Sequence, residues 1–123
     1  MSENKPTYEI DSEPSTVAAF KRQACSLAWH EAGFVPPTAA QIKQLRQIMG
    51  YSQAQLGVLL GKTISQKGCD KVHKWELPES SKNHKPIEYL AWRMMLQVAG
   101  VITVDDDIAV AAKYKEIINA QNQ

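Results

Sequence analysis

Between Ser52 and Lys74 the chain concentrates side chains suited to a polyanion with hydrogen-bonding edges. Ser52 and Gln53 stand where a helix begins, so their side chains and the free backbone N–H groups there suit a phosphate oxygen. Lys62, Lys67, Lys71 and Lys74 supply cations that displace counterions from a duplex. Ser65, Gln66 and Lys67 are placed to reach base edges, Gln66, Lys67 and Lys71 are the expected base contacts, and Asp70 belongs to the same DNA-binding set. Two other constellations carry less. Cys69 and His73 are four apart, with His84 further on, but they lack the paired spacing of a metal site, and no metal is expected. Trp29-His30-Glu31 has acid–base ingredients without a positioned nucleophile or a glycine-rich phosphate cradle. Neither an enzyme nor a cofactor is expected.

Charge by segment agrees with that concentration. The whole chain is balanced, 14 Lys plus Arg against 13 Asp plus Glu. Residues 36–100, however, hold nine bases and four acids, whereas residues 1–35 hold three against five and residues 101–123 two against four. A basic module lies between acidic flanks. At 123 residues with 44% hydrophobic content, one domain with its own core is expected.

The elements that hold these side chains are legible from caps and periodicity. Residues 1–14 are polar and proline-containing, and read as a flexible tail. Over 15–35, Val17, Phe20, Ala24 and Leu27 recur at three- and four-residue intervals, predicting an accessory helix that Gly33 ends before the Pro36-Pro37 break. Thr38 with Gln41 and Ser52 with Gln55 form capping-box patterns. They open two helices whose apolar faces are Ile42, Leu45, Ile48 and Met49, then Leu56, Leu59 and Leu60. Gly50 and Gly61 stop them. A third helix is predicted from Cys69 to Leu77, seated by Val72 and Trp75 and stopped by Pro78. A fourth follows, with Pro86 in its first turn and Ile87, Leu90, Ala91, Met94, Met95 and Val98 as its largely buried face, up to Gly100. Trp92 and the Met94-Met95 pair suit packing or a partner surface. In the extension 101–123, Val101 to Val104 is expected to be extended. Asp105, Asp106 and Asp107 then favour the start of a last helix carrying Ile108, Ala111 and Ile118.

Two strings, IKQLRQIMGYSQAQLGVLLG from Ile42 to Gly61 and VHKWE from Val72 to Glu76, resemble the phage-repressor (Cro/CI, XRE) helix-turn-helix family. The resemblance spans residues 36–100 and implies an all-α protein, a five- to six-helix bundle around a lambda-repressor-like DNA-binding domain. It implies that Gln53 meets phosphate, that Val72 and Trp75 are core, and that Lys71 and Lys74 face the groove. It also implies a homodimer on a palindromic operator in double-stranded DNA, with the first or last helix as dimer surface. One spacing departs from the family: Gly61 and Trp75 are 14 positions apart, implying an insertion at KTISQKG. That segment either lengthens the following helix or reaches along the DNA with Lys62 and Lys67.

The expected function is a transcriptional regulator, and the family resemblance implies a repressor. Beside it stand an antitoxin that also binds a toxin, and a protein-interaction module without DNA binding. No apolar run is long enough for a membrane span, and two cysteines without a leader pattern place the chain in the cytoplasm by default.

Overall fold

The computed structural model describes residues 14–122. The tail expected over 1–14 lies outside these residues except for Pro14, which is fully buried and belongs to the packed unit. The described residues are all-helical, with seven α-helices. These are α1 (Val17–Lys21), α2 (Ala39–Met49), α3 (Gln53–Leu59), α4 (Asp70–Glu76), α5 (Tyr89–Ala99), α6 (Val104–Ala112) and α7 (Tyr114–Gln121), with a 3-10 turn at Ala24–Ser26. No helix among them is long and apolar enough to cross a membrane.

Both anticipated capping boxes form. The Thr38 hydroxyl accepts from Gln41 N at 3.1 Å while Gln41 Oε1 accepts from Thr38 N at 2.8 Å; Ser52 and Gln55 repeat the exchange at 3.0 and 2.7 Å. Gly50 then ends α2 in the left-handed region, φ 78°, where a side chain is strained. Glu79 adds a carboxylate to the start of α2 by accepting from Ala39 N.

Helices α2, α4 and α5 enclose the core, and α3 packs on α4. Ile42, Leu45, Leu56, Val72, Trp75, Trp92, Met95 and Leu96 are all nearly inaccessible. α3 and α4 approach closely because position 57 is glycine: a Cβ there would stand 2.7 Å from Cys69 Sγ and 2.8 Å from Cys69 Cβ. A polar knot fastens α2, α3 and α4. Glu76, its side chain 4% exposed, accepts from Arg46 Nε at 2.6 Å, Arg46 Nη2 at 2.9 Å and Gln53 Nε2 at 3.1 Å. Arg46 Nη1 also donates to Tyr51 O at 2.9 Å, tying the α2–α3 turn to the pair.

Five expectations fail for identifiable reasons. The accessory helix over 15–35 is cut short after Lys21, and Gln23 is extended and buried. The carbonyls of Cys25, Ser26 and Leu27 are taken by α5 side chains: Trp92 Nε1 donates to Cys25 O at 2.8 Å and Arg93 Nη1 to Ser26 O and Leu27 O at 3.0 Å. Pro86 does not open the fourth helix, which begins three residues later at Tyr89. The buried face of that helix is also rotated. Ala91, Trp92, Arg93, Met95 and Leu96 point inward, while Leu90, Met94 and Val98 are exposed, because the helix is apolar on two sides and the Trp92 and Arg93 bonds select one of them. Finally, Val104 is helical rather than extended. Thr103 and Asp106 make a third capping box, with aspartate where glutamate or glutamine is usual. The last helix divides at Lys113, whose N–H reaches only three residues back, to Val110 O at 3.0 Å. This break raises the number of α-helices from the expected five or six to seven.

Glu76→Ala leaves Arg46 charged in a site only 12% exposed, so a loss of about 3 kcal/mol is expected, lowering Tm by roughly 10 °C in thermal denaturation. A second outcome concerns pH. Burial pushes the Cys25 thiol up to about 12 from 9.0, so the unfolded chain loses this proton at lower pH than the folded one. The stability contributed by the neutral thiol is complete below pH 9 and declines as pH rises towards 12. Denaturant unfolding of wild type and Cys25→Ala across that range should converge as pH rises.

Candidate nucleic-acid interface

The polar residues singled out between Ser52 and Lys74 separate into two sets. One set is consumed in building the scaffold. The Ser52 hydroxyl caps α3, and the Gln53 carboxamide is drawn to Glu76. Lys62 is held 3.0 Å from both Glu88 carboxylate oxygens and lies 6.0 Å from the Trp75 ring centroid, with only 19% of its side chain exposed. Lys74 pairs with Asp70 one helical turn earlier at 3.0 Å. These four side chains therefore begin with partners that a ligand has to displace or share.

The other set faces solvent. Ser65, Gln66, Lys67, Asp70 and Lys71 are exposed. Among the described residues the side chains of Lys67 and Lys71 meet no carboxylate. The segment 62–68 does not extend α4, which begins at Asp70. Instead it closes into a tight turn in which Ser65 N donates to Gly68 O at 2.9 Å and Gly68 N returns to Ser65 O at 3.0 Å. Lys67 N also donates to Ser65 Oγ at 3.2 Å, which commits that hydroxyl partly to the turn. Gly68 takes φ 112°, beyond the ordinary range of other residues. The turn holds Gln66 and Lys67 at its tip, directly before the exposed side of α4.

That exposed side is Asp70, Lys71 and His73, with Lys74 at its edge; the opposite side, Val72 and Trp75, is core. Residues three apart share a side, Val72 with Trp75 and Asp70 with His73, as the 3.6-residue period requires. His73 is exposed beside Lys71, and His84, grouped with it by the sequence pattern, bonds Leu77 O through Nδ1 at 2.9 Å. Two apolar side chains, Val58 on α3 and Ile64 in the turn, are also exposed. Sequence reading placed neither at the site; a β-branched residue inside a polar loop was the available signal for Ile64. Together these residues make a convex, partly cationic strip of turn and short helix, suited to a groove rather than to a small molecule. No group of three His, Cys, Asp or Glu residues stands within reach of a common metal ion among the described residues.

No family model, curated protein or solved structure matches this chain.

The Lys62–Glu88 pair is half open to water, so its removal costs little. Glu88→Gln should reduce stability by less than about 1 kcal/mol in urea unfolding, and that difference should vanish at high salt.

Proposed function

We propose that this chain is a sequence-specific, double-stranded-DNA-binding transcriptional regulator of the phage-repressor-like helix-turn-helix kind, acting as a homodimeric repressor in the cytoplasm rather than as an enzyme. The observation that carries the reading is the division just described. Arg46, Glu76 and Gln53 lock α2, α3 and α4 together, and the turn at 65–68 with the outer side of α4 is left exposed and polar, with Lys67 and Lys71 held by no carboxylate among the described residues.

On this reading α3 rests across the backbone and α4 enters the major groove. Lys71 neutralises a phosphate. Gln66 offers the bidentate amide that matches adenine, Lys67 donates to guanine acceptors, and Ile64 or Val58 suits a thymine methyl. The ion pair with Asp70 holds Lys74 extended along the helix until a phosphate competes for it. Repression follows by occlusion of the promoter, an inference from the family resemblance.

A second reading keeps the scaffold as a protein-interaction module without DNA binding. The neutralisation of Lys62 by Glu88 and of Lys74 by Asp70 favours it, since both remove cations from the strip.

Titration against duplex DNA over a series of salt concentrations separates the two. Affinity should fall steeply with salt, and Lys71→Ala should reduce the slope of log K against log salt by about one. Selection from a random pool should return an inverted repeat with half-site centres roughly 10 to 10.5 base pairs apart. A flat salt response would establish the interaction module.

A further inference from the structure

The segment 62–68 is where this chain leaves the family spacing, so the resemblance assigns it no orientation. Burial does not supply one either: Thr63, Ile64, Ser65, Gln66 and Lys67 are all exposed. The reciprocal Ser65–Gly68 bonds and the Lys67 N to Ser65 Oγ bond shape the tip of the turn without tying it to the rest of the molecule. What orients the turn lies at its two ends.

At the far end Cys69 is buried against Gly57 of α3. At the near end Lys62 N donates to Gly57 O at 2.8 Å, and Ile64 comes so close to the same glycine that a Cβ there would stand 3.0 Å from Ile64 Cγ2. The Lys62 side chain adds a second attachment. Its Nζ lies 6.0 Å from the Trp75 ring centroid on α4 and 3.0 Å from both carboxylate oxygens of Glu88, the residue at the start of α5. One side chain thus links the base of the turn to two helices.

Both partners give up a local preference to make this link. Glu88 occupies the N-cap position of α5 but makes no side-chain capping bond there. Lys62, a cation at the edge of a polar strip, has only 19% of its side chain exposed. A pair so placed and half open to water contributes little to stability. Local rules broken without local gain belong to functional positions. The gain here is geometric. A turn held in one orientation carries Gln66 and Lys67 to base edges without a fresh ordering cost, whereas phosphate contacts, which carry no sequence information, tolerate a turn that swings.

We infer that Lys62 is a positioning residue: paired with Glu88 over the Trp75 ring, it orients the inserted turn so that Gln66 and Lys67 read bases, and it touches no phosphate itself. This rests on the nucleic-acid reading and replaces the expectation that Lys62 reaches along the DNA.

The full chain is titrated over a salt series against its selected site and against random duplex, with Lys71→Ala as the control that loses about one unit of salt slope. Lys62→Ala should keep the wild-type slope and stay within about twofold of wild type on random duplex, while its preference for the selected site falls about fivefold. Glu88→Gln removes a negative charge, which by itself tightens binding to every duplex; the expected result is instead the same fivefold loss of preference. The double variant should lose no more than either single one, because both break one contact. Lys62→Arg, which keeps the bond to the carboxylate and the contact with the indole, should restore the preference. A slope lowered by about one in Lys62→Ala, or equal losses on both duplexes, makes Lys62 a phosphate contact and overturns the inference while leaving the regulator reading intact. Additive losses in the double variant overturn it as well. A flat salt response of the wild type overturns the nucleic-acid reading, and this role with it.

Discussion

The structure depends on a carboxylate that has almost no access to water. Glu76 is compensated by two guanidinium nitrogens of Arg46 and by the Gln53 carboxamide, and each donor comes from a helix other than its own. Desolvating such a pair costs several kcal/mol, so its merit is not raw stability. What it imposes is register. The bidentate geometry admits one placement of α4 relative to α2, and the Gln53 bond admits one placement of α3 relative to both. Gly57 acts in the same direction by letting α3 come against Cys69. The exposed side of α4 is therefore a consequence of what happens on its hidden side.

Helix α5 plays the corresponding part for the rest of the chain. Trp92 and Arg93 reach out of its inner surface to the backbone of residues 25–27, and Arg93 also turns to Asp107 on α6. Phe20 packs on Trp92 with ring centroids 6.2 Å apart. A buried arginine in this position links both acidic flanks to the basic middle. It also orients the second apolar side of α5, with Leu90, Met94 and Val98, away from the core. The exposed side of α4 and the exposed apolar side of α5 are thus separate surfaces, set by two separate polar anchors.

How much of this was legible in the sequence differs from element to element. The boundaries of α2, α3 and α4 could be read to within a residue or so, since Thr38, Ser52, Gly50 and Gly61 act through bonds to their immediate neighbours. The burial of Val72 and Trp75 was legible for the same reason: a helical period is local. The partners of Gln53, Lys62 and Lys74, which are Glu76, Glu88 and Asp70, were not legible, because they are assigned by distance in space or by a choice among rotamers. The 15–35 helix and the inner face of α5 were misjudged together, since each is decided by the bonds from Trp92 and Arg93 to carbonyls more than sixty residues away. By itself the sequence determined the helical class, the caps, and the position of the polar, cationic stretch, all of which depend on backbone preferences within a few residues. Only the tertiary structure decided which cations stay unpaired, that the inserted segment closes into a turn, and which side of α5 meets water. Those outcomes turn on desolvation and hydrogen-bond competition between parts of the chain that local pattern does not connect.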